Sequence, residues 1–366
     1  MGVMETIHLL PVAFQRIPRE EHTRGGGVST IADVAALAGV GVGTVSRVLK
    51  GNGQVSAETR LRVQSALDQL DYQPVRSRSG THRRHGLIGV VIPFFDQPSS
   101  YQRLRGIVQA LQPHDLEMVL YNVDAPDRAR ARLVNLPSDQ LDGLIIISLP
   151  ISMDDGNRLS QADCPVVLVD TRHPALPCIV IDDRAGGRMA TEHLLSLGHE
   201  RIAFIGEPAR NPFGFTSSQL REEGYLAALA DAGIASPTEY RRRGPHIRNA
   251  ARQLAVELLT LRQPPTAIVA ASDVQALGVL EAARGARRDV PADLSVIGYD
   301  DIEVATYSGL TTVRQQLELS GERGAEVVST ALISDSRPSP FVEELPLELT
   351  VRATTSFAPR ARRRSG

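Results

Sequence analysis

The sequence offers almost no sulfur chemistry, with two cysteines, Cys164 and Cys178, in 366 residues. They share no metal-like spacing, so neither a disulfide framework nor a zinc site is expected, and such sparse usage fits a reducing cytoplasm. Long hydrophobic runs are missing too. The apolar stretch near the start, Ile7 to Phe14, is broken by His8 and Pro11 and is far shorter than the roughly 20 residues of a membrane span. A soluble chain with no membrane partner is expected. Catalytic constellations are equally scarce: no strand end carries a Ser-His-Asp order, a paired acid and base, or a phosphate loop. The histidines are scattered, and His199 in the LGHERI turn reads as structural. Neither an enzyme nor a cofactor is expected.

Net charge is also small, at -2, but it is unevenly spread. Between Val28 and Gly86 stand eight Lys or Arg (Arg47, Lys50, Arg60, Arg62, Arg76, Arg78, Arg83, Arg84) against four acids (Asp33, Glu58, Asp68, Asp71), so the rest is net acidic. A basic segment beside an acidic body is either an electrostatic footprint for polyphosphate or a plain solvated face.

What is present is a large apolar share, 42%, enough for a sizeable core and two or three domains. Residues 1–27 have no sustained period and end in Gly25, Gly26, Gly27, which reads as a disordered extension. Translation from Val28 is an alternative start. Three helices follow within 28–74. Thr30 and Asp33 have capping-box spacing, and Ile31, Val34, Ala35 and Ala38 recur at helical period until Gly39. A second helix, about Val42 to Leu49, turns Val45, Val48 and Leu49 to one face and leaves Gly43, Thr44 and Arg47 elsewhere. Ser56 caps a third helix, with Val63, Ala66, Leu67 and Leu70 as its stripe and Pro74 as its stop.

Residues 75–86, VRSRSGTHRRHG, form a basic linker. Beyond it, buried-strand runs alternate with amphipathic helices: LIGVVI, LEMVLY, GLIIIS, VVLVD, RIAFIG, TAIVAAS and SVIGYD. That alternation means α/β architecture with parallel sheets, and the strand total points to two similar lobes. The lobes are expected at 87–197 with 318–346 and at 198–317 with 347–357, joined by crossings near 198, 317 and 346. A basic tail occupies 358–366.

The stretch Asp33 to Leu49 is a helix, a Gly-containing turn and a second helix, the arrangement that lays its second helix in a major groove. The base-reading and phosphate-facing candidates are Thr30, Val42, Gly43, Thr44, Ser46 and Arg47. Arg47 suits guanine O6 and N7, Val42 a thymine methyl, and hydroxyls and amides at helix starts suit phosphates. Gly39, Gly41 and Gly43 imitate a dinucleotide fingerprint, but they follow a helix rather than a strand, which argues against that reading.

Thr30 to Pro74 resembles the headpiece of the lactose/purine repressor family. The resemblance continues through RGIVQAL, DDRAGG, HLLSLGHERIAFIG, REEGYLAAL, ASDVQALG, VIGYDD and LTTVRQ, and covers Val28 to Ser356. It implies a cytoplasmic homodimeric repressor on a pseudo-palindromic operator, with a periplasmic-binding-protein-like sensor of two Rossmann-like lobes. The rival is a solute-binding protein without DNA function. The chain departs from the family at the hinge helix, where Val75, Arg78, Ser79 and Thr81 stand for Asn, Ala, Arg and Leu. A stable hinge helix with a leucine wedge is therefore not expected. Arg76, Arg78, Arg83 and Arg84 serve instead as flexible arms for a narrow minor groove, or merely as solvated linker charges. Gly41 also replaces a usual capping Ser, and Gly43 offers no side chain to a base, so base specificity there should be modest.

Open parallel sheets bind ligands beyond their strand C-terminal ends. Asp273 and Asp300 end strands, and Arg221 opens a helix after the loop bearing Phe213 and Phe215. Two carboxylates and a guanidinium suit vicinal hydroxyls, and an aromatic ring suits a sugar's apolar face. A small carbohydrate effector follows. The resemblance places Arg221 and Asp300 at effector-contacting positions and Asp273 at the cleft edge. It puts Phe94, Ser99, Ser100, Thr171, Phe215, Ser217 and Val269 at variable lining positions. On the residues alone, Asp300 and Arg221 also read as a structural ion pair, Phe213 and Phe215 as packing, and Asp301 as a helix cap.

Overall fold

Residues 31–50, 55–70, 85–126, 128, 133 and 140–359 are described by the structure, a computed structural model. The chain divides near residue 83 into two units, each with its own core.

In the first unit, α1 (Ile31–Ala38) ends where Gly39 takes φ +64°, a left-handed turn that glycine adopts without steric penalty. The Val40 N–H then donates to the Ala35 carbonyl at 3.0 Å, which closes the helix C-terminus. The second helix, α2 (Val42–Lys50), starts at once, with Thr44 N–H donating to the Gly41 carbonyl at 2.8 Å. The Ser56 hydroxyl accepts from the Thr59 N–H at 3.3 Å and caps α3 (Ala57–Gln69). Val34, Ala35 and Ala38 from α1, Val45 from α2, and Val63 and Ala66 from α3 bury one small core. Helical geometry then turns Val42, Gly43 and Arg47 outward, and all three are exposed. The proposed capping partner Thr30 lies outside the described residues.

In the second unit, the first sheet takes β1 (Leu87–Pro93), β2 (Glu117–Val123), β3 (Gly143–Ile147), β4 (Val166–Val169), β5 (Cys178–Val180) and β11 (Val342–Glu344). Its order is β11-β5-β4-β3-β1-β2, parallel throughout. The second takes β6 (Ile202–Gly206), β7 (Arg241–Arg243), β8 (Ala267–Ala270), β9 (Ser295–Asp300), β10 (Thr311–Arg314) and β12 (Glu348–Thr350). It repeats that order as β12-β10-β9-β8-β6-β7, with only β12 antiparallel. Each is a doubly wound sheet whose winding reverses beside its first strand, at β1/β3 and β6/β8.

Helices cover both sheets: α4 (Pro98–Leu111), α5 (Met153–Ser160), α6 (Asp183–Ser196), α7 (Ser217–Asp231), α8 (Arg248–Leu259), α9 (Asp273–Gly285), α10 (Glu303–Ser308) and α11 (Leu317–Ile333). One crossing differs from the sequence reading. The chain leaves the first sheet directly after Val180, not near residue 198, because α6 packs on α7 and against β8, β9 and β10 of the second lobe. The other passages run at residues 315–316, before α11 returns to pack on α4, β3 and β4, and at 345–347, before β12. The linker residues 75–84 lie outside the described residues.

Candidate ligand cleft and nucleic-acid interface

The C-terminal ends of both sheets open on a shared cleft of about 640 Å³. Several strands end abruptly there because the next residue takes a left-handed backbone: Phe94 (φ 48°) after β1, Ser148 (54°) after β3, Asp170 (60°) after β4, and Asp300 (114°) closing β9. Strain of this kind at non-glycine residues concentrates where side chains must be aimed. Here all four side chains reach the cleft wall.

The floor is a continuous chain of charge and hydrogen bonds. The Ser148 hydroxyl donates to Asp170 at 2.6 Å, and the Arg103 Nη2 lies 3.2 Å from Asp170 and donates to Gln315 Oε1 at 3.0 Å. The Gln315 amide donates to Asp300. Arg221 Nη1 lies 3.6 Å from Asp300, while its Nε donates to Asp183 at 2.7 Å and Nη1 to the Ala271 carbonyl at 2.6 Å. The Arg221 guanidinium also lies 3.6 Å above the Tyr299 ring, a cation–π contact. Burial raises the pKa of Asp300 and Asp183, and Arg221 opposes that rise. Burial also works against the charge of Arg221, but Asp183, Tyr299 and Asp300 outweigh it and the guanidinium's pKa is raised. At the other side Glu207, after β6, pairs with His246 Nδ1 at 3.1 Å. Burial pushes the Glu207 carboxyl upward, but the hydrogen bond and charge of His246 win, so its pKa is lowered.

Three rings stand beside this floor. Phe213 and Phe215 stack at 5.1 Å and 6°, and Phe94 meets them edge-on at 5.0 and 6.4 Å. Their loop is pinned by Asn211, whose amide accepts from the Phe215 N–H at 2.9 Å and donates to the Phe215 carbonyl at 2.7 Å. Phe94 belongs to the first lobe and the stacked pair to the second, so the rings join the two sides of the cleft. Phe213 also packs on the first lobe's apolar cluster.

Of the sequence candidates, Phe94, Ser99, Ser100, Thr171, Phe215, Ser217, Arg221 and Asp300 line the cleft. Val269 does not; it is 2% exposed in the core of β8. Nor does Asp273, which is fully buried because its carboxylate accepts from the Ile302 N–H at 2.9 Å and the Thr312 hydroxyl at 2.6 Å. Burial and the neighbouring Asp300 hold its pKa well above the ordinary carboxylate range. Asp301 is no helix cap: it pairs with Arg314 and Arg352, each at 2.7 Å. Arg103, Asp170, Asp183, Glu207, His246 and Gln315 line the cleft without having been singled out. Asp170 and Glu207 directly follow strands, so the strand-end rule reaches them; Arg103 and Gln315 carry no such local signal.

In the three-helix unit Val42, at 46% exposure, Gly43 and Arg47 form the free face of α2, with Thr44 half-buried. The Arg47 guanidinium lies over the Gly43 position, where a Cβ would touch it at 3.9 Å. The Ser46 side chain, Thr30, Arg76 and Arg78 lie outside the described residues.

This combination matches known proteins along its length. Residues 30–75 match the bacterial regulatory proteins of the lacI family, and residues 191–355 a periplasmic binding protein-like domain. The HTH-type transcriptional regulator MalR of Streptomyces coelicolor is 34% identical over 348 residues, covering 91% of this chain and 98% of its own. The chain belongs to the lacI family of bacterial regulatory proteins. A complex of the transcriptional regulator CelR with cellobiose superposes with a TM-score of 0.65 at 30% identity, over 89% of this chain and 99% of that one. The lac repressor dimer bound to operator and the anti-inducer ONPF superposes with a TM-score of 0.64 at 28% identity, over 90% and 100%. This lacI-family protein is thus a DNA-binding transcription regulator and not an enzyme, which sets aside the solute-binding alternative. No described helix is long and apolar enough to cross a membrane.

Proposed function

We propose that this regulator is a cytoplasmic homodimeric repressor of a pseudo-palindromic operator, relieved or reinforced by a neutral carbohydrate held in the cleft. The observation that carries this reading is the charge balance of the cleft wall. Three guanidiniums (Arg103, Arg172, Arg221) face four carboxylates (Asp170, Asp183, Glu207, Asp300), and His246 sits on one of the latter. A strongly charged effector would leave buried charges uncompensated, whereas hydroxyls accept and donate among them without changing the balance. The Phe94 and Phe215 rings on the cleft wall, with Phe213 stacked on Phe215, supply an apolar face of the kind that sugars stack on. Sugar-bound relatives support the same class.

DNA contacts fall to Val42, Gly43, Thr44, Ser46 and Arg47 on α2, with Thr30, Arg76 and Arg78 toward phosphates and the minor groove. Dimerisation is supported by exposed apolar side chains on one side of the first lobe: Tyr101 and Val108 on α4 and Leu120 on the edge strand β2. Ligand in the cleft would shift the lobe arrangement and with it the affinity for operator.

The test measures operator affinity against ribose and cellobiose for the wild type, Asp300→Asn and Arg221→Ala. Both variants should lose the sugar response and keep effector-free operator binding. A full response in both variants excludes this cleft as the control site.

A further inference from the structure

Two helix pairs in the sensor cross at glycines. In the first lobe α4 meets α11 at Gly106 and Gly321; in the second α6 meets α7 at Gly187 and Gly224. A Cβ on any of the four would overlap a backbone carbonyl of the facing helix. Gly106 would strike Glu318, Gly321 would strike Arg103, Gly187 would strike Arg221, and Gly224 would strike Arg184. Each residue struck lies three positions before the glycine of its own helix, so one crossing device is used in both lobes. Without a Cβ, the glycine Cα–H approaches the carbonyl directly, as a weak Cα–H···O contact.

The residues seated in this way include both buried arginines of the cleft. The Arg221 carbonyl rests on Gly187, and its guanidinium is held by Asp183 at 2.7 Å, one turn earlier on the same α6. The Arg103 carbonyl rests on Gly321 of α11, and its guanidinium donates at 3.0 Å to Gln315, in the passage leading into α11. A single segment therefore grips each arginine at both ends, by its backbone and by its tip. Both gripping segments directly follow a passage between the lobes, at 181–182 and 315–316.

We propose that Gly187 and Gly321 are positioning residues for the effector response: they set how far Arg221 and Arg103 reach into the cleft and tie each arginine to a passage between the lobes. A methyl group at residue 187 would stand 2.7 Å from the Arg221 Cα and force α6 and α7 apart. Its 2.0 Å approach to the Arg221 carbonyl oxygen falls short of the usual carbon–oxygen contact of about 3.3–3.6 Å by roughly 1.5 Å. Arg221 then cannot keep both its 2.7 Å bond to Asp183 and its 2.6 Å bond to Ala271. The inference rests on the cleft being the effector site, but guanidinium placement is measured without any effector.

The experiment labels the full-length protein with phenylglyoxal and reads each arginine by peptide mass spectrometry. The variants are Gly187→Ala, Gly321→Ala and, as a control, Gly278→Ala, since Gly278 of α9 meets the Arg248 carbonyl in the same fashion with no cleft arginine involved. Labelling of Arg221 should rise about tenfold or more in Gly187→Ala, and that of Arg103 in Gly321→Ala, relative to the control, because local protection is lost. Operator titrations with ribose and cellobiose should show a matching rise in half-saturating concentration in both variants. Labelling no greater than in the control overturns the proposal. So does failure of both variants to fold, since the glycines would then serve folding rather than placement. Raised labelling with no sugar response in the wild type upholds the positioning role and sinks the sugar reading of the cleft.

Discussion

The DNA-reading unit and the sensor put their arginines to opposite use. Arg47 is exposed on the free face of α2, whereas Arg103 and Arg221 are at most 7% exposed and paired with carboxylates and an amide. An exposed guanidinium pays desolvation only when phosphate or guanine arrives, so its contribution should be steep in salt. A buried one must be compensated in advance, since removing one partner of a buried pair costs about 3–5 kcal/mol. Under the proposed function, recognition of DNA is built on free groups and recognition of the effector on groups already engaged. The cores differ in the same direction: among the described residues, six buried side chains hold the three helices, while two six-stranded sheets and their helices hold the sensor.

That contrast is sharpest in stability. Val45→Ala deletes two methyl groups from a small core, and should cost the small unit about 2–3 kcal/mol. Operator binding should fall with it while the sensor's thermal transition stays in place. Val167→Ala, at an equally buried position of β4, should cost a similar amount yet leave operator binding intact. Calorimetry of both variants decides; a shared shift of both transitions would mean that the two units unfold as one.

A smaller effect separates base reading from phosphate contact. Arg47→Ala should weaken specific binding by about 1–3 kcal/mol and relax preference at one base pair of each half-site. Equal losses on operator and random duplex would mean that Arg47 meets phosphate alone.

The smallest effect concerns pH and belongs to the sensor. His199 is 1% exposed, its ring bonded to Thr266 and Ser295 hydroxyls and to the Ser356 carbonyl, each at 3.0 Å. Burial lowers its pKa, as it does for the half-buried His193. The native rings stay neutral while the unfolded chain takes up protons near pH 6.5, so this stability is present above that value and drains away as pH falls toward the native pKa. Melting of the sensor between pH 7.5 and 5.5 should show the loss, and His199→Gln should flatten it. No histidine lies between Ile31 and Leu70, so the three helices carry none of this dependence.

The seven strand runs in the sequence all recur as strands, because buried parallel strands are continuous apolar segments. β5, β7, β10, β11 and β12 did not stand out, since three or four residues carry too little periodicity. The strand-end rule found Asp300 and also picked Asp273, which the turn to Ile302 and the Thr312 hydroxyl draw beneath the surface. Arg103 lies mid-helix, and only the return of α11 to the first lobe brings Gln315 beside it.

What the sequence determined by itself is what repeats locally: the three short helices with their outward Arg47, the strand–helix alternation, and the charge asymmetry between them. The tertiary structure alone decided which charges meet. Asp170, Asp183, Arg221, Asp300, Gln315 and Arg103 come from six separated stretches of chain, and no local period records their approach. They converge because both sheets wind the same way and end at one cleft, and because glycines at the helix crossings let two arginine-bearing helices sit close enough for their guanidiniums to arrive there.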